Sequence, residues 1–579
     1  DIQPRAGYNE KLRWNWNTPI ALSPNEKGTI YIGAQFLFRS RDHGQSWQRI
    51  SPDLTTNDPA KQQQEKSGGV TVDNSWAETY TTIYSISESP KQAGLIWVGT
   101  DDGNLQLTRD GGKHWSNMVR NIHGLPAGEW VSWVQADNAD PASAYVAFDR
   151  HSFGDMAPYI YATHDYGKSW TALVTAHNDK GLRGYVHVIR QDPLRPDLLY
   201  AGTEFGLWIS IDGGAHWAQF KGGDFPAVAV RDIAFQQRDA DLVLATHGRG
   251  IWIVDDLTPL RALDAKVLDS EASFLPSLPA QQRIEAWGGW PGGDAAFVGP
   301  NPADGAVITY YQRSRHLFGK LKIDVLDRHG KLIDTLPASV RRGINRVQWS
   351  MRTKPPRVPP AAQIAFNSIV GPRVVPGTYT IRMTKGKDVF ETSLQVVLDR
   401  RDTFSVADRQ AQFDAATRVK RLFGEMSELV ARINAVRAAA AAEAATLPAT
   451  DATRKQLAGL GDQADAIRKK IVATTEGGAI TGEERLREHA DQLYGAIMSY
   501  EGRPSDYQMA YIDTLQRELG DVQKSFAGFQ HGALEKTNAV LKARQLKPIA
   551  VPAPMPEAEG DAGGGEAGMQ APTRGLERD

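Results

Sequence analysis

The sequence predicts a mainly β protein with an α C-terminal part: a partial β-propeller, then a β-sandwich, then an antiparallel helical bundle. Three observations carry this. A turn of the form Ser/Thr-x-Asp-x-Gly-x-x-Trp occurs four times, at Ser40–Trp47, Thr108–Trp115, Thr163–Trp170 and Ser210–Trp217. A repeat at such intervals means stacked or radial units. Residues 304–400 alternate apolar and polar residues in short runs, the period of half-buried strands. Beyond 401, apolar residues fall at spacings of three and four, the period of helices.

The propeller is assigned to residues 1–256. Each Asp-containing turn follows two apolar runs joined by an acidic or Gly turn, as in 95–99 and 104–108 around Asp101-Asp102-Gly103. The runs 198–202 and 206–210 around Thr203-Glu204-Phe205 repeat the pattern. Such pairs read as hairpins. A further strand precedes each of the later pairs (79–88, 130–136, 185–191 and 228–236), and a short one follows each Trp. Four antiparallel strands make one propeller blade. Four such blades and a last strand pair, 241–245 and 250–254, make about five units. That count implies the C-terminal part of a longer precursor, or a chain that pairs with a separate N-terminal propeller half.

Within each turn, Asp42, Asp110, Asp165 and Asp212 are placed to accept hydrogen bonds from their own backbone. The Gly can take a positive φ. Trp47, Trp115, Trp170 and Trp217 supply apolar surface for the blade. All eight are read as structural. The Asp-x-Asp-x-Asp-Gly pattern of a calcium loop is absent, so no metal and no cofactor are expected.

Strand order then selects a face. With strands A to D from the centre outward, the Asp turn lies between C and D. The B–C turns and the connections into A lie at the opposite end, where longer loops gather. The ligand-binding candidates are therefore Trp76, Asp101, Asp102, Glu129, Arg150, His151, Asp155, Glu204, Phe205, His247 and Arg249, with Tyr185 beside them. Acidic, basic and aromatic groups together suit a polar ligand such as a sugar or peptide. The plain alternative at each position is an ordinary hairpin turn.

Residues 257–303, rich in Pro, Gly and Ala and including Trp287-Gly-Gly-Trp290, read as a linker packed on the propeller. Residues 304–400 read as a sandwich like immunoglobulin or fibronectin modules. Residues 401–548 read as a helical bundle, interrupted at Pro448, Gly477-Gly478 and Gly502-Arg-Pro504. Its apolar stripe is read as core, with a homo-oligomer contact as the second reading. Residues 549–579, rich in Pro, Gly and Glu, are expected to be disordered.

Composition narrows the function. Of 579 residues, 66 are basic and 68 acidic, with no basic field that would neutralise phosphates, so nucleic acid is not expected as a partner. The absence of cysteine excludes disulfides, thiolate metal sites and a thiol nucleophile. No apolar run approaches the ~18 residues of a membrane helix. Neither Gly-x-Ser-x-Gly nor His-Glu-x-x-His occurs, which discounts the peptidases those motifs mark.

Several stretches resemble the Asp-box (BNR-repeat) propeller superfamily, and within it large bacterial sortilin-like proteins often described as glycosyl hydrolases. They are Arg13-Trp-Asn-Trp-Asn-Thr-Pro19, Leu37-Phe-Arg-Ser40, Ile50-Ser-Pro-Asp-Leu-Thr55, Val98-Gly-Thr-Asp-Asp-Gly103, Gly202-Thr-Glu-Phe-Gly206 and the 246–256 run Thr-His-Gly-Arg-Gly-Ile-Trp-Ile-Val-Asp-Asp. The resemblance covers residues 1 to roughly 400 well, and the helical part more loosely. It implies an extracytoplasmic protein, periplasmic or secreted, that binds a polysaccharide, a peptide or a partner protein. A sialidase set of three arginines, tyrosine and acid cannot be matched, and the Phe-Arg-Ile-Pro start is absent. The alternative is a glycoside hydrolase whose acids lie opposite the Asp turns, where inverting chemistry needs carboxylates about 6.5–9.5 Å apart.

Overall fold

The computed structural model describes residues 2–66, 79–125, 128–284, 299, 301–302, 304–477 and 482–554. The chain divides into two compact units, Asp1–Asp269 and Ser270–Asp579.

The first unit is a series of propeller blades. Four are four-stranded antiparallel sheets in sequential order, and the fifth has three strands. Blade one holds Ile20–Leu22, Ile30–Gly33, Leu37–Ser40 and Gln48–Arg49. Blade two holds Ile83–Glu88, Ile96–Thr100, Leu105–Thr108 and Ser116–Asn117. Blade three holds Trp130–Ala136, Ala144–Arg150, Asp155–Thr163 and Thr171–Val174. Blade four holds Val186–Gln191, Leu199–Thr203, Gly206–Ser210 and Ala218–Gln219. Blade five holds Val230–Gln236, Asp241–Thr246 and Ile251–Val254. Strands are called A to D in that order.

Blades join through apolar cores. Each A strand packs on strands A and B of the blade before it. Trp97, Leu105 and Leu107 of blade two meet Val131, Val146 and Phe148 of blade three. Leu207 and Tyr200 of blade four meet Ile233, Leu242 and Leu244 of blade five.

The four Asp turns share one hydrogen-bond pattern. The hydroxyls of Ser40, Thr108, Thr163 and Ser210 each accept from the glycine N–H four residues on, at 2.8–3.0 Å. The Asp carboxylates accept from the backbone N–H of Ser46, His114, Ser169 and His216 at 2.9–3.0 Å. The Ser46 hydroxyl and N–H hold Asp42 down to about 2. Those glycines have φ between +78° and +99°, which a side chain disfavours.

In the second unit a three-stranded sheet runs Ala272–Leu275, Ala306–Gln312, Gly343–Trp349. A five-stranded sheet runs Ala280–Gln282, Asp388–Leu398, Gly377–Lys385, Leu321–Leu326, Leu332–Pro337. Their shared core includes Tyr310, Ile323, Trp349, Ile381 and Met383. The segment expected as a linker thus supplies two strands of the sandwich, one paired in parallel with 396–398. Its short helices Thr258–Arg261 and Ala265–Asp269 belong to the first unit. The Trp287–Trp290 stretch lies outside the described residues.

The helices are Val406–Ala445, Ala452–Arg468, Leu486–Met498 and Asp506–Phe529, the last passing through a π turn at 530–534 into Glu535–Ala543. Capping boxes at Ser405/Asp408 and Ser505/Gln508 satisfy orphan N–H groups at two helix starts. The apolar stripe is core: Leu422, Phe423, Ile433, Leu457, Leu493 and Leu515 are buried together. The first residue of the expected tail does not stand free of the bundle. Ile549 is buried and exchanges two hydrogen bonds with Asn538, because an apolar residue after the last turn finds the bundle core. Residues 555–579 lie outside the described ones. No described helix is long and apolar enough to cross a membrane.

Candidate functional site

The B–C turns and the starts of the A strands meet at the end of the blades away from the Asp turns. In blade two the B–C turn is packed tight. Gly103, at φ +97°, lies against the Gly128–Glu129 backbone, where a Cβ would come within 2.7 Å. Asp101 and Asp102 are fully buried in this turn. Asp101 accepts from the Thr82 N–H and hydroxyl at 2.8 and 2.5 Å and from Asn15 Nδ2 at 3.2 Å. Burial pushes its carboxyl up to about 7 despite those donors. Asp102 accepts from the Thr56 N–H and hydroxyl and from the Thr100 hydroxyl at 2.6–2.7 Å. Both aspartates tie neighbouring segments together. This corrects their assignment to an open ligand-binding edge: hydroxyls and amides from three other segments take up their oxygens.

Blade three supplies an ionic group. Arg150, at the end of strand B, pairs with Glu129 and donates from Nε to Asp155 Oδ2 at 2.8 Å. Tyr159 donates to the same Asp155 oxygen at 2.7 Å. Burial raises the Glu129 carboxyl in spite of Arg150. Its Oε2 is buried with no hydrogen-bond partner. Burial pulls Asp155 upward too, but the Ala157 N–H, Tyr159 and Arg150 outweigh it and hold that carboxyl low.

Blades three and four share an aromatic and acidic group. His151 Nδ1 lies 2.7 Å from Asp149 Oδ1, and its ring stacks on Tyr185 at 4.6 Å and 18°. His187 Nε2 lies 2.9 Å from Glu204 Oε2, and Tyr185 hydrogen-bonds the same glutamate. Burial opposes ionisation of Glu204, but His187 and Tyr185 outweigh it and lower its carboxyl. Phe205 and Phe153 are exposed, as are His247 and Arg249 on blade five. The His247 N–H donates to the Ala229 carbonyl, and the Arg249 carbonyl accepts from the Trp252 indole. Trp76 lies outside the described residues.

A structural repeat missed from sequence organises the centre. In blades two to five the A strand carries a β-bulge near its start, after the first paired residue in blades two, four and five and after the second in blade three. The bulged residues are Tyr84, Ser132, His187 and Arg231. Bulges re-aim side chains and recur beside functional sites. Neighbouring positions touch: Ser132 Oγ donates to the Val186 carbonyl at 2.7 Å, and Arg231 Nη1 lies 3.2 Å from His187 Nδ1. The only sequence signal was Tyr185-x-His187, alternate residues entering a strand. Among the described residues no group of three or more His, Asp or Glu is placed to hold a metal.

No family model matches the chain. It is 22% identical over 265 residues to an oligoxyloglucan-reducing end-specific xyloglucanase of Emericella nidulans, covering 41% of this chain and 31% of that one. It is 21% identical over 266 residues to a probable enzyme of the same name from Neosartorya fischeri, covering 42% and 31%. The matched stretch thus spans about a third of either curated relative. Similar solved structures include an ancestral GH74 enzyme (TM-score 0.33, 11% identity, 67% of this chain and 47% of that one). The GH74 xyloglucanase of Xanthomonas campestris is another (0.31, 12%, 66% and 55%), as is YCF48 bound to D1 peptide (0.26, 18%, 47% and 80%).

Proposed function

We propose that the chain is part of an extracytoplasmic glycoside hydrolase-type propeller that engages a polysaccharide on the face opposite the Asp turns. The observation that carries this is a pair of carboxyls displaced in opposite directions on one face: Glu129 raised by burial, Glu204 lowered by His187 and Tyr185. Groups pushed apart in this way divide into proton donor and ionised partner. Inverting hydrolysis uses such a pair. Glu129 is then the donor and Glu204 the base, with Phe153 and Phe205 offering faces to sugar rings. The two curated xyloglucanase relatives support a β-glucan substrate.

A second reading is carbohydrate binding without hydrolysis. It is favoured by the Glu129 carboxyl, whose Oε2 is shut from solvent and whose other oxygen is held by Arg150. Reducing-end release from xyloglucan and mixed-linkage β-glucan tests the first reading, with calorimetric titration of xyloglucan oligosaccharides beside it. Hydrolysis lost in both Glu129→Gln and Glu204→Gln supports catalysis. Binding with no turnover in the unmutated chain supports the second reading. Neither binding nor turnover overturns both.

A further inference from the structure

Three connections gather at one end of the β-sandwich in the second unit. Strand register sets this: Gln312 pairs with Gly343, Leu321 with Lys385, Lys322 with Pro337 and Lys385 with Asp388. The connections 313–320, 338–342 and 386–387 therefore leave the two sheets on the same side. Hydrogen bonds tie them to one another and to the strands. The His316 N–H donates to the Val340 carbonyl at 3.0 Å, and the Gly386 N–H to the Lys320 carbonyl at 2.7 Å. Gln312 Nε2 donates to the Ser339 and Arg341 carbonyls at 2.9 and 3.1 Å.

The charge at this end is one-sided. The three connections carry Arg313, Arg315, Lys320, Arg341, Arg342 and Lys387, and no aspartate or glutamate. Glu271, at the entry to the first strand, pairs with Lys385 and lies 3.7 Å from Arg313. The other five cations are exposed, and among the described residues no carboxylate pairs with them. Between Arg315 and Lys320 stand Leu317 and Phe318, 66% and 88% exposed. Val340, joined to the same loop through its carbonyl, is 39% exposed. At the opposite end of the sheet the turn 327–331 sets Asp327 beside Arg328 and Lys331.

We propose that this end of the sandwich docks on an anionic lipid surface, Leu317 and Phe318 entering the headgroup boundary and the cations meeting lipid phosphates. A bilayer interface takes both components. Apolar side chains gain by leaving water for the boundary of the acyl region. Arginines and lysines around them are drawn to an anionic leaflet, and their long stems lie along apolar surface while the charged heads reach phosphate. A soluble polyanion would use the cations and leave the Leu-Phe pair in water. Two apolar side chains bury too little to anchor a protein, and exposed charges are screened by salt. Docking therefore needs both and is reversible.

Co-sedimentation of the whole chain with vesicles tests this independently of any carbohydrate activity. The chain should bind vesicles of mixed phosphatidylglycerol and phosphatidylcholine, bind phosphatidylcholine alone far less, and detach as salt rises. The Leu317→Ser/Phe318→Ser and Arg341→Glu/Arg342→Glu double variants should each weaken binding at least about tenfold. All four side chains are exposed, so circular dichroism should show both variants folded. Arg328→Glu/Lys331→Glu, at the opposite end of the sheet, should bind like the unmutated chain. No binding to anionic vesicles overturns the proposal, as does equal binding to neutral ones. Loss of binding in the arginine variant with full retention in Leu317→Ser/Phe318→Ser also overturns it, and marks a site for polyanions instead. An equal loss in Arg328→Glu/Lys331→Glu overturns the assignment to this end.

Discussion

Arg231 and His187 occupy the same bulge position on adjacent blades, with the Arg231 guanidinium 3.2 Å from His187 Nδ1. An arginine can only donate, so this nitrogen is the acceptor, and the proton sits on Nε2 facing Glu204. That assignment follows from the partners. Burial and then Arg231 lower the imidazole below its usual 6.5.

A consequence is acid sensitivity. The unfolded chain takes up this proton more readily than the folded one, so stability falls as pH drops through and below 6.5. Chemical denaturation between pH 7.5 and about 5 should show this slope. His187→Gln, which carries no titrating group, should flatten it. An unchanged slope in the variant would refute the neutral assignment.

Asp101 has the opposite signature. Its carboxyl sits at about 7 when folded against 3.8 otherwise. The folded state holds the proton across that window, so its contribution is full below about 4 and is lost as pH rises toward 7. Asp101→Asn should therefore gain on the unmutated chain as pH rises. Asp101→Ala should lose about 1–3 kcal/mol at acid pH by stranding the Thr82 N–H. Urea melts of the three proteins at both ends of the window check this.

Gly112 combines a φ of +99° with a site where a Cβ would lie 2.2 Å from the Ile50 carbonyl oxygen. Gly112→Ala should destabilise the propeller unit by about 2 kcal/mol or more. Gly111 has φ +73° and open space, so Gly111→Ala pays only the backbone term and should cost about 1–2 kcal/mol. Comparing the two thermal transitions separates strain from collision.

In the second unit Glu501 bridges two arginines, Arg373 and Arg409, at 2.7 Å each. Arg409 is almost wholly buried in the first turn of its helix. Glu501→Gln removes the carboxylate that the two arginines share and should cost about 3–5 kcal/mol. A smaller loss in Glu501→Gln/Arg409→Met than in the single variant, measured by denaturant unfolding, would assign the cost to the stranded cation.

The blades were legible because a period of two with a fixed turn motif survives any context. Strand A of blade three, 130–136, falls where alternation puts it. The acidic turn Asp101-Asp102 looked like an open edge because its partners, Thr56 and Thr82, come from elsewhere in the chain. The bulges were hidden for a related reason: a bulge exists only relative to the register of the partner strand. Strand 280–282 escaped notice because three residues paired in parallel carry no alternation. Strand order placed Arg150 and Glu204 at B–C turns, where they lie. Their pairing with Glu129 and His187 needed the folded chain.

Serial packing has a mechanical consequence. A blade held on both sides can open only by breaking two cores, as blade three must against blades two and four. Cooperativity in such arrays decays toward an unsupported end. Amide protons of blade three, 130–174, should therefore be among the last of the propeller unit to exchange.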